Sequence, residues 1–311
     1  MKWFVGEYEA LCLVRMDIWK MDMKRLSELN LRHLCDLAER AAREAGEMIV
    51  AARPVSIHYK EGGDSLASQI LTEVDEQSQA LILSRLEPTL AEFDLALLTE
   101  ERPDDGSRFE KDYFWCIDPL DGTLPFVEGI PGYSVSIALV ARDGTSVIGV
   151  VFDPVTRTLY SAVRGQGAFK NSVPWLIARN SANYLSLITD RSFEQHPRFL
   201  QTLEELEVIA ADLGLSGGVK TRMTGGAAMN AIWVLESDPA CYFKFPKAGN
   251  GGGSLWDYAA TSCIYGEIGA IAKDGSGAPQ DLNRSDSTFM NHRGIVCASN
   301  HQLAEQILNL F

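Results

Sequence analysis

The sequence predicts a mixed α+β and α/β protein built from two structural units. The chain has 311 residues, about twice the usual size of one domain. Its first half combines two helical patterns with apolar segments joined by short turns, and its second half alternates strands with helices. We therefore predict one domain over 25–178, a second over 179–311 and an N-terminal extension over 1–24.

The composition is that of an ordinary folded protein, with 46% hydrophobic and 23% charged residues. The net charge is −14, from 42 acidic and 28 basic residues. Such a surface repels phosphate backbones, so we expect no nucleic-acid polymer and no anionic membrane as partner. The six cysteines form no C-x-x-C pair, which favours a reduced, cytoplasmic protein over a disulfide framework or a zinc site.

The first half begins with a helix. Apolar residues recur at helical spacing over 25–53, and Pro54 follows as a stop. A glycine-rich bend at 60–65 separates two predicted strands, 55–59 and 66–73. A second helix is predicted over 75–86, ending before Pro88. The remaining predicted strands of this half are 95–98, 113–117, 133–141, 146–152 and 158–163.

The second half alternates segments of helical periodicity with short apolar segments typical of strands. We predict helices over 197–213, 226–236, 256–265 and 301–310. The predicted strands are 185–188, 240–243, 268–272 and 294–298.

The most informative segment ends a buried strand with two carboxylates, Asp118 and Asp121. Pro119 is expected to end the strand, and the i,i+3 spacing lets the two carboxylates converge on one point. Their oxygens are the ligands that Mg²⁺ prefers. Gly122 lets backbone approach a ligand, and Thr123 opens a helix whose free N–H groups can bind an anion. Metal ligands beside anion-binding amides indicate phosphoryl transfer. The alternative is a polar turn without a catalytic role, because D-P-x-D-G is also a good turn sequence.

Other kinds of site are excluded by spacing. Aspartyl-phosphate hydrolases need their two aspartates at i and i+2, and a calcium loop needs acids at alternate positions. Asp118 and Asp121 lie three residues apart, so they fit neither pattern. The glycine-rich segment 249–253 lacks the G-K-[ST] of a P-loop, and no serine lies in a G-x-S-x-G motif.

An ordered set of motifs resembles the lithium-sensitive, magnesium-dependent phosphatases that include inositol monophosphatase and 3′(2′),5′-bisphosphate nucleotidase. Their pattern is E-E, then D-P-[IL]-D-G-T, then W-D. This chain has Glu100-Glu101, then D-P-L-D-G-T over 118–123, then Trp256-Asp257. Further matches lie at 72–75, 225–230 and 266–269.

The resemblance implies a layered α-β-α-β-α sandwich of the inositol monophosphatase-like fold, with two or three Mg²⁺ ions held between its halves. The implied metal ligands are Glu100, Asp118, the Leu120 carbonyl, Asp121 and Asp257. Glu100 and Thr123 are expected to activate the attacking water, with Asp75 supporting Thr123 and lying near the most weakly held metal. The implied substrate contacts are Gly122, Thr123, Gly225, Gly226 and Ala227. Homodimers are common in the family. Taken alone, Asp257 is equally well explained as a residue that stabilises a helix N-terminus.

Lys244 is the residue that bears on the substrate. Inositol monophosphatase-like members carry an acid at this position, whereas bisphosphate nucleotidase-like members commonly carry a basic residue. A cation facing the site attracts a second phosphate, so we predict a small phosphorylated metabolite, 3′-phosphoadenosine 5′-phosphate, as the substrate. The alternatives are a surface lysine without substrate contact, an inositol or sugar monophosphatase, and a non-catalytic phosphometabolite-binding regulator.

Overall fold

The computed structural model describes residues 26–52, 57–59, 70–177 and 182–311. The predicted extension over 1–24 lies outside these residues. The helices of the described residues are α1 (Glu28–Ala51), α2 (Glu73–Phe93), α3 (Thr123–Glu128), α4 (Phe199–Asp212), α5 (Ala227–Glu236), α6 (Leu255–Ile268) and α7 (His301–Leu308). Short 3₁₀ helices cover Ser107–Phe109 and Arg191–Gln195.

The strands pair into two sheets and one small antiparallel pair. The pair consists of β1 (Ile57–Tyr59) and β2 (Ile70–Thr72). The larger sheet consists, in spatial order, of β3 (Ala96–Thr99), β4 (Tyr113–Asp121), β5 (Ser134–Ala141), β6 (Ser146–Asp153), β7 (Thr158–Val163), β8 (Ala168–Lys170) and β9 (Val173–Pro174). Only its β3–β4 pair is parallel.

The smaller sheet consists, in spatial order, of β11 (Val219–Arg222), β10 (Leu185–Ile188), β12 (Ala240–Lys244), β14 (Ile295–Ala298) and β13 (Ile271–Lys273). The three strands β11, β10 and β12 run parallel, and β14 is antiparallel to both β12 and β13. The short strands β8, β9 and β11 were not predicted. The strand β11 reads Val-Lys-Thr-Arg and lies at a sheet edge, so it lacks the apolar alternation that reveals a strand in a sequence.

Side-chain alternation along the strands divides the core into layers. On β4, Trp115 and Ile117 face α1 and α2, whereas Phe114 and Cys116 face α5 and α6. On β12, Tyr242 faces the same two helices from the opposite side, and the strand's other face packs on α4 and α7. The order is therefore helix pair, sheet, helix pair, sheet, helix pair, which confirms the predicted α-β-α-β-α sandwich.

The end of α2 differs from the prediction. The helix continues past Pro88 to Phe93. Thr89 is buried in the following turn, where its hydroxyl donates to the Leu86 carbonyl at 2.6 Å and accepts from the Trp115 indole at 2.9 Å. These contacts hold the turn beyond the proline, so tertiary packing overrides the local preference.

The end of β4 also differs, because the strand does not stop at Pro119. Asp118 pairs with Ser136 and Asp121 pairs with Ser134, so three steps on β4 face two on β5. This irregularity is a bulge, and it removes the need for an N–H at the proline. The Ser78 hydroxyl donates to the freed Pro119 carbonyl at 2.7 Å.

The two sheets share the middle helical layer. The larger sheet ends with Pro174 and the smaller one begins with Leu185, but α5 and α6 pack against both in one apolar cluster. The predicted domain boundary at 178/179 stays a prediction. Within the residues described, no helix is both long and apolar enough to cross a membrane.

Candidate metal and catalytic site

The bulge at the end of β4 brings two aspartates to the same side of the sheet. Asp118 and Asp121 are 2% and 5% exposed. The Asp118 carboxylate accepts the Leu120 amide at 3.1 Å, which closes a tight turn around Pro119. The predicted convergence of the two carboxylates is thus produced by a bulge within the strand.

Asp121 is held by the N-terminus of α5. One carboxylate oxygen accepts the Ala227 amide at 2.9 Å and the other accepts the Ala228 amide at 3.0 Å. The Ser134 hydroxyl donates to the second oxygen at 3.3 Å. A carboxylate oxygen has two lone pairs, so these bonds leave capacity for a metal.

Glycines permit the close approach of α5 to the β4 turn. A Cβ on Gly226 would lie 2.5 Å from an Asp121 oxygen, and one on Gly122 would lie 2.8 Å from the Gly132 carbonyl. Gly122 also has φ +85°, which only glycine adopts readily. The predicted substrate residues Gly122, Gly226 and Ala227 therefore also assemble the acidic cluster.

Asp257 reaches the cluster from α6. It is the third residue of that helix, and one of its oxygens accepts the Ser254 amide at 2.9 Å in a capping box. Its carboxylate also lies within 4.8 Å of those of Asp118 and Asp121. Helix capping and membership of the acidic cluster, which the sequence left as alternatives, are therefore compatible.

Three carboxylates meet at this point. Ligand oxygens of Asp118, Asp121 and Asp257 all lie within 4.8 Å of one another. Burial, followed by the charges of Glu100 and Asp121, raises the pKa of Asp118 well above its ordinary value. Burial and then Asp257 raise the pKa of Asp121 to about 8. A hard divalent cation would offset this repulsion, and an all-oxygen donor set suits Mg²⁺, so the residues fit a metal.

Glu100 and Thr123 lie beside this cluster. Glu100 directly follows β3, its amide donates to the Ile117 carbonyl at 3.2 Å, and its charge acts on Asp118. Thr123 is the first residue of α3, and its hydroxyl lies 3.5 Å from the Leu120 carbonyl. Asp75 is buried in the first turn of α2. The individual roles of these residues stay predictions.

Lys244 lies at the end of β12 and is ion-paired. Its ammonium lies 2.7 Å from Oδ2 of Asp190. Burial opposes its charge, but Asp190 and Tyr258 beside it hold the pKa of Lys244 above its usual range. Asp190 was not predicted from the sequence, because only the parallel pairing of β10 with β12 brings it next to Lys244. Its one local indication is that it lies two residues after the predicted strand 185–188.

Gly225 completes the predicted substrate residues. Its carbonyl accepts the Asn230 side-chain amide at 3.1 Å, and a Cβ on Gly225 would lie 2.4 Å from Asn230 Oδ1. This glycine therefore allows Asn230 to close the first turn of α5.

Comparisons with known proteins agree with this geometry. The profile of the Inositol monophosphatase family matches residues 30–311. The Nus factor SuhB of Vibrio cholerae is 30% identical over 279 residues, which cover 86% of this chain and 95% of that protein. The inositol monophosphatase of Thermotoga maritima has a TM-score of 0.66 at 23% identity, covering 88% of this chain and 96% of that one.

A structure of SaIMPase-II with bound inositol monophosphate has a TM-score of 0.62 at 22% identity and covers 88% of this chain and 92% of its own. The same protein has been solved with bound 2′AMP. The family profile spans nearly the whole described chain, and the solved structures share its fold. This chain therefore belongs to the inositol monophosphatase family.

Proposed function

We propose that this protein is a Mg²⁺-dependent phosphatase that hydrolyses a small phosphomonoester. The observation that carries the proposal is the buried cluster of Asp118, Asp121 and Asp257, whose ligand oxygens lie within 4.8 Å of one another. Burying three acids together is costly unless a cation joins them. Membership of the inositol monophosphatase family supports the same function.

The metal ligands we propose are Glu100, Asp118, the Leu120 carbonyl, Asp121 and Asp257. When bound, Mg²⁺ acts as a Lewis acid that neutralises charge on the phosphate oxygens. The three aspartates are already fixed by backbone amides at 2.9–3.1 Å, so the protein orients its ligands before the metal binds.

The chain itself supplies proton transfer and positioning. We assign Glu100 the role of the base that accepts a proton from the attacking water, with the Thr123 hydroxyl orienting that water and Asp75 supporting Thr123. The Gly122 and Thr123 amides at the start of α3 are assigned to the phosphate oxygens. Such a site needs no covalent phospho-enzyme, because a positioned water is the nucleophile.

Two esters compete as the substrate. Lys244 supports 3′-phosphoadenosine 5′-phosphate, whose second phosphate needs a cation. Inositol 1-phosphate or a sugar phosphate is the alternative, supported by the inositol monophosphate bound to SaIMPase-II. Phosphate release from both esters, with and without Mg²⁺, tests the function. We expect metal-dependent release that Asp118→Asn abolishes and that a surface control, Glu44→Gln, retains; Glu44 pairs with Arg85 on the outer helices.

A second candidate is a regulator that binds a phosphometabolite without hydrolysing it. The observation that favours it is that relatives of 28–32% identity carry the name Nus factor SuhB. The proposed water-activating pair of Glu100 and Thr123 favours the enzyme, because a binder has no use for it. Ligand-induced stabilisation without phosphate release from any ester would support the regulator.

Two further properties belong to this proposal. We expect inhibition by lithium, and full activity at high millimolar Li⁺ would contradict it. We also propose a cytoplasmic location, because Cys35, Cys116, Cys241, Cys263 and Cys297 are all buried free thiols, as expected in a reducing compartment.

A further inference from the structure

An ion pair lies at the ends of two neighbouring parallel strands. Ile188 of β10 pairs with Tyr242 of β12, and two residues further along lie Asp190 and Lys244. Ligands of α/β sheets bind outside the carboxyl ends of such strands. The side chains of Asp190 and Lys244 are 29% and 18% exposed, so both remain accessible to a small ligand.

The carboxylate of the pair is fixed in place. Oδ1 of Asp190 accepts the Asn230 side-chain amide at 3.1 Å and the Tyr242 hydroxyl at 3.2 Å. Asn230 and Tyr242 are both fully buried. Oδ2 of Asp190 lies 2.7 Å from the Lys244 ammonium, in an ion pair. Because three groups hold Asp190, it stays beside Lys244 and its charge cancels that of the lysine.

The pair is close to the metal cluster. The helix α5 connects them, since its first two amides hold Asp121 while Asn230, one turn later, holds Asp190. The Lys244 ammonium lies 5.8 Å from the ring of Tyr258, the neighbour of Asp257. A phosphate ester at the cluster therefore has its alcohol part within reach of the pair.

We propose that Asp190 is a specificity-determining residue, which neutralises Lys244 so that the pair binds a hydroxyl-bearing part of the ester and not a second phosphate. A neutral pair offers ammonium N–H donors and a carboxylate acceptor, which match hydroxyl groups. It offers no net charge to a second phosphate. The inference rests on the proposed phosphatase function and favours the inositol or sugar alternative.

The test compares two nucleotides that differ only at the 5′ position, 3′-phosphoadenosine 5′-phosphate and adenosine 3′-monophosphate. In the wild type, we expect a kcat/KM ratio of the first to the second near or below one. Asp190→Asn keeps the shape but unmasks the ammonium, so the ratio should rise at least about tenfold, as expected for one charge-assisted hydrogen bond. The matched control is Glu236→Gln, which removes a carboxylate paired with Lys170 at the far end of α5. The control should leave the ratio unchanged.

A second variant keeps the test decisive if Asp190→Asn does not fold. The double variant Asp190→Asn/Lys244→Gln removes both charges and keeps the site neutral, so its ratio should stay within about twofold of wild type. A ratio that falls tenfold in the double variant, or that stays constant in Asp190→Asn, would overturn the proposal. If the wild type hydrolyses neither nucleotide, the phosphatase function fails on these esters. The thermal stabilisation that each nucleotide produces with Mg²⁺ then measures the same ratio without turnover.

Discussion

Replacing Asp118 with Asn should stabilise the metal-free protein and abolish its response to Mg²⁺. Ligand oxygens of the three aspartates lie within 4.8 Å of one another. Two unit charges at that distance repel by roughly 3.5 kcal/mol at an effective dielectric constant of about 20. Neutralising Asp118 removes two of the three pairwise repulsions. Asparagine can still accept the Leu120 amide, so the local turn is retained.

The net gain in the free energy of unfolding is smaller than the sum of the two repulsions that the substitution removes. Burial and the neighbouring carboxylates raise the pKa of Asp118 well above its ordinary value, so a bound proton relieves part of the repulsion in the metal-free protein. We therefore expect a gain of about 2 kcal/mol in the free energy of unfolding, a figure that rests on the same Coulomb estimate. For a chain of 311 residues, the melting temperature should rise by about 3 °C.

The assay is thermal unfolding at neutral pH, in excess EDTA and in excess Mg²⁺. Wild type should be stabilised by Mg²⁺, and Asp118→Asn should not. Asp274→Asn is a control of opposite sign, because that buried carboxylate accepts the Ser276 and Ala278 amides at 2.9 and 3.0 Å and pairs with Arg293. It should lower stability and keep the Mg²⁺ response. An Asp118→Asn protein less stable than wild type in EDTA, or one that Mg²⁺ still stabilises equally, would refute the reasoning.

Three further substitutions separate chemistry from assembly. Glu100→Gln should lower kcat at saturating Mg²⁺ by about 10²–10⁴-fold, the usual effect of losing a general base; a kcat within twofold of wild type contradicts its assigned role. Gly226→Ala places a Cβ 2.5 Å from the Asp121 carboxylate, so a Mg²⁺ titration of the melting temperature should show weaker metal affinity, and an unchanged midpoint counts against the site. Gly149→Ala places a Cβ 2.0 Å from the Ala260 carbonyl, where α6 packs on β6, and urea unfolding should report a loss of about 1–3 kcal/mol; a wild-type midpoint would show that the layers can separate at no cost.

The sequence alone was enough to identify the acidic cluster. Asp118 and Asp121 are close along the chain, and a buried strand followed by D-P-x-D-G-T carries its own local constraints. Asp257 was recognised through the ordered motifs and not through its own surroundings, which by themselves indicate only a helix cap. The layered fold was predicted from the resemblance that these ordered motifs carry. Apolar periodicity marks α1 clearly, whereas α6 lies between the two sheets and shows almost none.

Non-local contacts decided the rest. The helix α2 continues past Pro88 because Thr89 binds Trp115, a residue on another element. The strand β4 continues past Pro119 because a bulge against β5 spares the proline an N–H. Asp190 neutralises Lys244 only because β10 and β12 lie side by side. A lone lysine in a sequence has a charge but no partner, and the partner, which lies 54 residues away along the chain, determines what that charge can bind.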